Sequence, residues 1–148
     1  MAICDKSLCT GCSVCADVCP QQCIEMKYDS KGFLHSFVDD DKCVNCKKCV
    51  SVCPVNNPNN KSKVTKAYKV RRNDPENAIN STPGGVAAVL SEYIVENGGF
   101  VVGCEMDENL LVKHSIADNV ADLEKFKGSK YVQSKTTGIY KEVKNLLN

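Results

Sequence analysis

Apolar and polar positions alternate from Ile24 to Tyr28, as they do along a half-buried strand. Asp29-Ser30-Lys31-Gly32 then carries turn chemistry, and residues 33–38 can return as the partner strand, so a small hairpin is expected. Cys4 falls in a further expected strand near the N-terminus. Residues 66–70 (Lys-Ala-Tyr-Lys-Val) read as a short strand that Arg71-Arg72-Asn73-Asp74-Pro75 breaks. Val86, Val89, Leu90, Tyr93 and Ile94 recur at helical spacing, which predicts a helix over Val86–Glu96 stopped by Asn97-Gly98-Gly99. Residues 100–104 form a continuous apolar run, as in a buried strand. A turn at Asp107-Glu108-Asn109 leads to a second strand over 110–117. A short helix over 118–126 and a terminal helix over 138–147 complete the reading.

Between the two halves, residues 55–63 carry four Asn, a Pro and two Lys and read as an exposed linker. The expected organisation is a first domain at 1–57, a linker at 58–65 and a small α/β domain at 66–148, where strand and helix signals alternate. The fold class expected for the whole is α+β.

Charge and composition narrow the function. Nineteen basic against 18 acidic side chains give a net charge of +1, which argues against a nucleic-acid binder driven by charge. Aromatics are 6% with no Trp, which argues against a base-stacking platform. No apolar run approaches the ~18–20 residues of a membrane span. Met1-Ala2-Ile3-Cys4-Asp5-Lys6 lacks the apolar stretch of a signal peptide, so a reducing, cytoplasmic location is expected.

Cysteine usage decides the first half. The chain has 11 cysteines, ten of them between Cys4 and Cys53. An odd count without an export signal disfavours disulfides. Cys9, Cys12, Cys15 and Cys19 precede Pro20, and Cys43, Cys46, Cys49 and Cys53 precede Pro54. Each set reads C-x-x-C-x-x-C-x-x-x-C-P, and the second lies 34 positions after the first, with Val18 and Val52 also matching. This is an internal duplication. Three cysteines at steps of three on a tight loop can each reach a different iron of one cubane. A zinc site uses four thiolates, usually as two C-x-x-C pairs, and has no use for a third cysteine at the same step, twice.

The eight cysteines and both prolines resemble the bacterial-type dicluster ferredoxin family. That resemblance implies two 4Fe-4S clusters, with the fourth cysteine of each run ligating the other cluster. One cluster would take Cys9, Cys12, Cys15 and Cys53, the other Cys43, Cys46, Cys49 and Cys19. Cys4, Cys23 and Cys104 read as buried structural cysteines. Residues 1–58 hold six basic and seven acidic side chains, while 59–148 hold 13 basic and 11 acidic. Each oxidised cubane with its thiolates adds about −2, so the holo first part is the negative one.

In the second half, Ser81-Thr82-Pro83-Gly84-Gly85 stands directly before the Val86 helix. Two glycines at a helix start let a phosphate approach exposed backbone N–H groups. A plain helix start, with Ser or Thr as cap and Pro in the first turn, is the other reading. Residues 127–134 (Lys-Gly-Ser-Lys-Tyr-Val-Gln-Ser) form a polar loop that could hold a phosphate while Tyr131 lines a ring, or could be a solvated connection. His35 in the hairpin is expected at the surface. His114, beside Ser115 in an apolar strand, is by default structural.

The order of dicluster domain, linker, glycine-rich helix start, apolar strand and Gly128-Ser129-Lys130-Tyr131-Val132-Gln133-Ser134 resembles the N-terminal part of the coenzyme F-420 hydrogenase/dehydrogenase beta-subunit family. That family usually has Ser-Gly-Gly where this chain has Thr82-Pro83-Gly84-Gly85, and its members run on beyond this point. The resemblance implies iron–sulfur electron transfer within a flavin-dependent oxidoreductase, with FAD as the converter between two-electron and one-electron steps. Its implied flavin contacts are Ser81, Thr82, Gly84, Gly85, Ser129, Lys130 and Tyr131. The implied partners are a redox protein or a further domain of the same polypeptide, and the deazaflavin coenzyme F-420. A non-catalytic ferredoxin-type carrier with a C-terminal docking domain is the alternative.

Overall fold

The computed structural model describes every residue except Asn60, Asn80, Thr82, Pro83 and the side chain of Asn77. The chain divides into two units, Met1–Lys61 with Lys135–Asn148, and Ser62–Ser134. Residues 135–148, expected at the end of the second domain, therefore return to the first unit.

The first unit contains helix α1 (Val14–Asp17), strands β1 (Ile24–Tyr28) and β2 (Leu34–Val38) and helix α2 (Lys48–Ser51), closed by the C-terminal helix, α6 (Ile139–Leu146). The strands pair antiparallel from Ile24↔Val38 to Tyr28↔Leu34. Asp29 makes the hairpin turn: its carboxylate accepts from the backbone N–H of Lys31 and of Phe33, both at 2.9 Å. Gly32 supplies the left-handed residue the turn needs, at φ +82°. Alternation along β1 turns Ile24 and Met26 inward, onto a core of Ile3, Cys15, Cys49 and Cys53. Cys4 lies in a bend rather than a strand, just before a 3-10 turn at Lys6–Leu8.

His35 is a correction to the sequence reading. It is 7% exposed, not a surface residue. Its Nε2 lies 3.2 Å from Asp29 Oδ2, so the turn residue draws the ring down beside the hairpin. Its Nδ1 has no hydrogen-bond partner among the described residues.

Residues 135–148 are fastened to α1. Thr136 Oγ1 donates to the carbonyl of Cys12 at 2.7 Å. Thr137 Oγ1 donates to Ser13 Oγ at 3.2 Å. The Asp17 carboxylate accepts from the backbone N–H of Gly138 (2.7 Å) and of Tyr140 (3.1 Å), capping α6 from another helix. Ile139 is buried beneath this contact.

The second unit holds α3 (Pro75–Ile79), α4 (Val86–Glu96), strands β3 (Val101–Met106) and β4 (Val112–Ala117), and α5 (Val120–Leu123) continuing into a 3-10 turn at Glu124–Phe126. β3 and β4 pair antiparallel from Val101↔Ala117 to Met106↔Val112, so the strands form a hairpin rather than a parallel α/β layer. Its core is Val95, Ala117 and Leu123, with Val101 and Phe126 against it. Gly103 is obligatory, because a Cβ there would lie 2.2 Å from the Phe126 ring. Asn119 caps α5 by accepting from Asp122 N at 3.0 Å.

One further expectation fails here. Residues 66–70 are not a strand, and Tyr68 and Val70 are 76% and 57% exposed. The apolar stripe of α4 is largely uncovered: Leu90 and Tyr93 are 57% and 66% exposed, while Val95 is the buried residue of that helix. One two-stranded hairpin has too little surface to cover it. No helix among the described residues is long and apolar enough to cross a membrane.

Candidate metal centre

The two cysteine loops have the same backbone. Gly11 and Ser13 both have positive φ (66° and 62°) around Cys12, and Asn45 and Lys47 repeat this (54° and 57°) around Cys46. The cysteine between keeps a negative φ. This alternation turns successive backbone N–H groups to one side, the concave arrangement that accommodates an anionic cluster. Ser13 and Lys47 then begin α1 and α2, which carry Cys15 and Cys49. The hydrogen bonds repeat as well. Cys19 N donates to the Ala16 carbonyl at 3.2 Å, and Cys53 N to the Val50 carbonyl at 3.3 Å. Each fourth cysteine thus leaves its own helix and is followed at once by Pro20 or Pro54, which has no N–H to continue it.

The exit directions decide which thiols meet. One cavity is lined by Cys9, Cys12, Cys15 and Cys53. A second is lined by Cys43, Cys46, Cys49 and Cys19. The fourth cysteine of each run has crossed into the other run's cavity. The hairpin roofs both: Met26 and its partner Ser36 face the first, Ile24 and its partner Val38 the second.

The donor set fits 4Fe-4S clusters. Each cavity offers thiols among apolar walls, with Ile3, Val14, Met26 and Val55 in one and Ile24, Val38 and Val44 in the other. No carboxylate or imidazole lines either cavity, and all-thiolate sets suit iron–sulfur clusters. Among the described residues, no three His, Cys, Asp or Glu side chains converge closely enough to hold a single ion. A cubane spreads its four thiolates wider than one ion does. Burial pushes the Cys15 thiol up to about 11 and also raises Cys49, so those sulfurs shed protons when they ligate.

Each cavity also holds a fifth cysteine that spacing alone had left as structural. Cys4 lines the first, beside Cys53 and Cys9. Cys23 lines the second, its Sγ 3.4 Å from Cys19 Sγ. Ser36 is a further residue missed, lining the first cavity from the hairpin. Nothing in a one-dimensional spacing marks these three, because β1, β2 and the N-terminal bend bring them in.

The residues singled out for flavin have different surroundings. Ser81 lines a cavity with Ser91, Glu92, Phe126 and Lys127. Thr82 lies outside the described residues. Gly84 and Gly85 have φ +87° and +62°, and a Cβ on Gly85 would lie 3.1 Å from Arg72 Cβ. Arg72 N donates to the Gly84 carbonyl at 2.8 Å, and its guanidinium pairs with Glu92 at 2.7 Å. The glycine pair is accounted for by this local packing. Ser129, Lys130 and Tyr131 do not line the Ser81 cavity. Lys130 Nζ instead donates to the carbonyls of Lys125 (3.0 Å) and Lys127 (2.8 Å), and Tyr131 is 93% exposed. Of the implied flavin contacts, Ser81 thus lines this cavity, and Lys130 is engaged by backbone carbonyls. His114 stands opposite half-buried Cys104 in the hairpin, with Ser134 Oγ 2.9 Å from its Nδ1.

Residues 8–57 match the family model described as a 4Fe-4S dicluster domain, and a second model of the same description matches residues 35–84. The first match contains all eight crossed cysteines, and the second shares with it the run from Cys43 to Cys53. The first part of the chain is of dicluster ferredoxin type, a domain of iron–sulfur electron transfer with two 4Fe-4S clusters. No curated protein matches the chain.

Proposed function

We propose that the chain is a relay for single electrons, passing them through two clusters held by Cys9, Cys12, Cys15 and Cys53 and by Cys43, Cys46, Cys49 and Cys19. The crossing of Cys19 and Cys53 between the cavities carries this reading. A bound 4Fe-4S cluster supplies a one-electron couple. The protein's part is to place the two thiol sets side by side: α1 and α2 pack together, and each delivers its last cysteine to the neighbouring site. The hairpin contributes apolar walls to both cavities through Met26, Ile24 and Val38.

The second unit serves as a docking element for the redox partner. Leu90, Tyr93 and Ile94 on α4 support this, since a solvated helix has no need of such a stripe. The resemblance of residues 128–134 supports a wider setting, in which the partner is a flavin-dependent oxidoreductase of the coenzyme F-420 hydrogenase/dehydrogenase beta-subunit type. Iron and acid-released flavin, measured on anaerobically prepared protein, test both levels. About eight irons per chain support the relay, and four or fewer contradict it. Stoichiometric FAD supports a flavin site within these residues, and its absence leaves the relay with a docking unit.

A further inference from the structure

The fifth thiol in each cavity has a use that ligation does not account for. Four cysteines per cavity satisfy a cubane, yet Cys4 and Cys23 each point into the same space. Their placement is paired. Cys23 is buried, with its sulfur 3.4 Å from Cys19, a cysteine that has crossed into the second cavity. Cys4 lines the first cavity together with Cys53, the cysteine that has crossed the other way, and with Cys9. Each extra thiol thus shares its cavity with a crossing ligand. The two positions are not products of the 34-residue duplication, since Cys4 precedes Cys9 by five residues and Cys23 follows Cys19 by four. The chain reaches one arrangement twice by different local routes.

Resting on the two-cluster reading above, we propose that Cys4 and Cys23 are thiol donors to the sulfurs of Cys53 and Cys19, and that each raises the reduction potential of the cluster in its own cavity. The sign follows from charge. Reduction adds one negative charge that is shared by the ligand sulfurs. A hydrogen bond donated to such a sulfur stabilises the reduced form more than the oxidised one, so the potential rises. Ser36, which lines the first cavity with Cys15, offers that cavity an additional donor.

The test is a potentiometric titration followed by electron paramagnetic resonance on Cys23→Ala, Cys4→Ala, Cys23→Ser and wild type. Wild-type iron content and two reducible clusters are scored first, so failure of the relay reading shows there independently of the variants. Cys23→Ala is expected to retain both clusters and to lower the potential of the Cys19-ligated cluster alone. The expected change is several-fold in its reduced-to-oxidised ratio at fixed potential, where tenfold corresponds to about 59 mV. Cys4→Ala is expected to lower only the other cluster. Cys23→Ser keeps an O–H donor and is expected to return towards wild type. An unchanged potential in Cys23→Ala overturns the proposal, since the thiol is then only packing. Loss of the cluster also overturns it, since Cys23 is then a ligand. Ser36→Ala, which keeps every cysteine, gives the same reading for the first cavity should Cys4→Ala fail to fold. It is expected to lower that cluster alone, and a potential equal to wild type counts against donor control.

Discussion

Asp17→Ala should unfasten the C-terminal helix from the first cluster loop. In the native structure the Asp17 carboxylate satisfies two N–H groups at the start of α6, those of Gly138 and Tyr140. Removing a capping side chain costs about 1–2 kcal/mol. Helix α6 spans only Ile139–Leu146 and cannot compensate, because isolated helices shorter than roughly 12–15 residues are marginal in water. What remains is Ile139 burial and the bonds of Thr136 and Thr137. A loss of 1–2 kcal/mol changes the open-to-closed ratio by about 5- to 30-fold. Amide hydrogen exchange reads that ratio directly. The α6 amides, with that of Tyr140 foremost, should exchange faster by about that factor, while β1 and β2 stay protected. Asp17→Asn should fall between, since Asn also caps. Wild-type exchange along α6 in Asp17→Ala would refute the argument that this carboxylate holds the helix.

Other expectations follow from the same geometry. Gly103→Ala places a methyl within 2.2 Å of the Phe126 ring and should destabilise the second unit by about 1–3 kcal/mol in thermal unfolding. Gly103→Ala with Phe126→Ala should lose less than the sum of the two single changes, because the clash disappears with the ring. Iron removal should abolish amide protection in the β1–β2 hairpin, whose inner face rests on the cysteine core, while leaving β3–β4 protected. Lys130→Met should loosen the turn at Lys125–Lys127 by about 1 kcal/mol without changing flavin content, since its amine is engaged by backbone carbonyls.

Much of the first unit was legible because its determinants are local. The x residues between the cysteines, the two prolines and the Asp29–Gly32 turn each dictate a few backbone angles, and the duplication repeats them. The crossed ligand sets followed from the resemblance, and Cys53 and Cys19 each line the cavity of the other run. What the sequence did not show depends on tertiary approach. The burial of His35 needs Asp29 to fold back under the turn. The destination of α6 depends on a carboxylate 121 residues away. In the second unit, the Val86–Glu96 helix was readable from its spacing, but periodicity locates an apolar face without saying that anything covers it. Residues 66–70 had strand composition but no neighbour to pair with. The flavin contacts were carried by resemblance, and at Gly85 and Lys130 packing within the unit accounts for the residues.

The central claim is that the last cysteine of each run serves the other run's cluster. Cys53→Ala and Cys19→Ala, compared by electron paramagnetic resonance after reduction, test it most directly. Cys53→Ala should damage the cluster of Cys9, Cys12 and Cys15, and Cys19→Ala that of Cys43, Cys46 and Cys49, each sparing the other. Damage that maps instead to the mutated cysteine's own run would contradict the account.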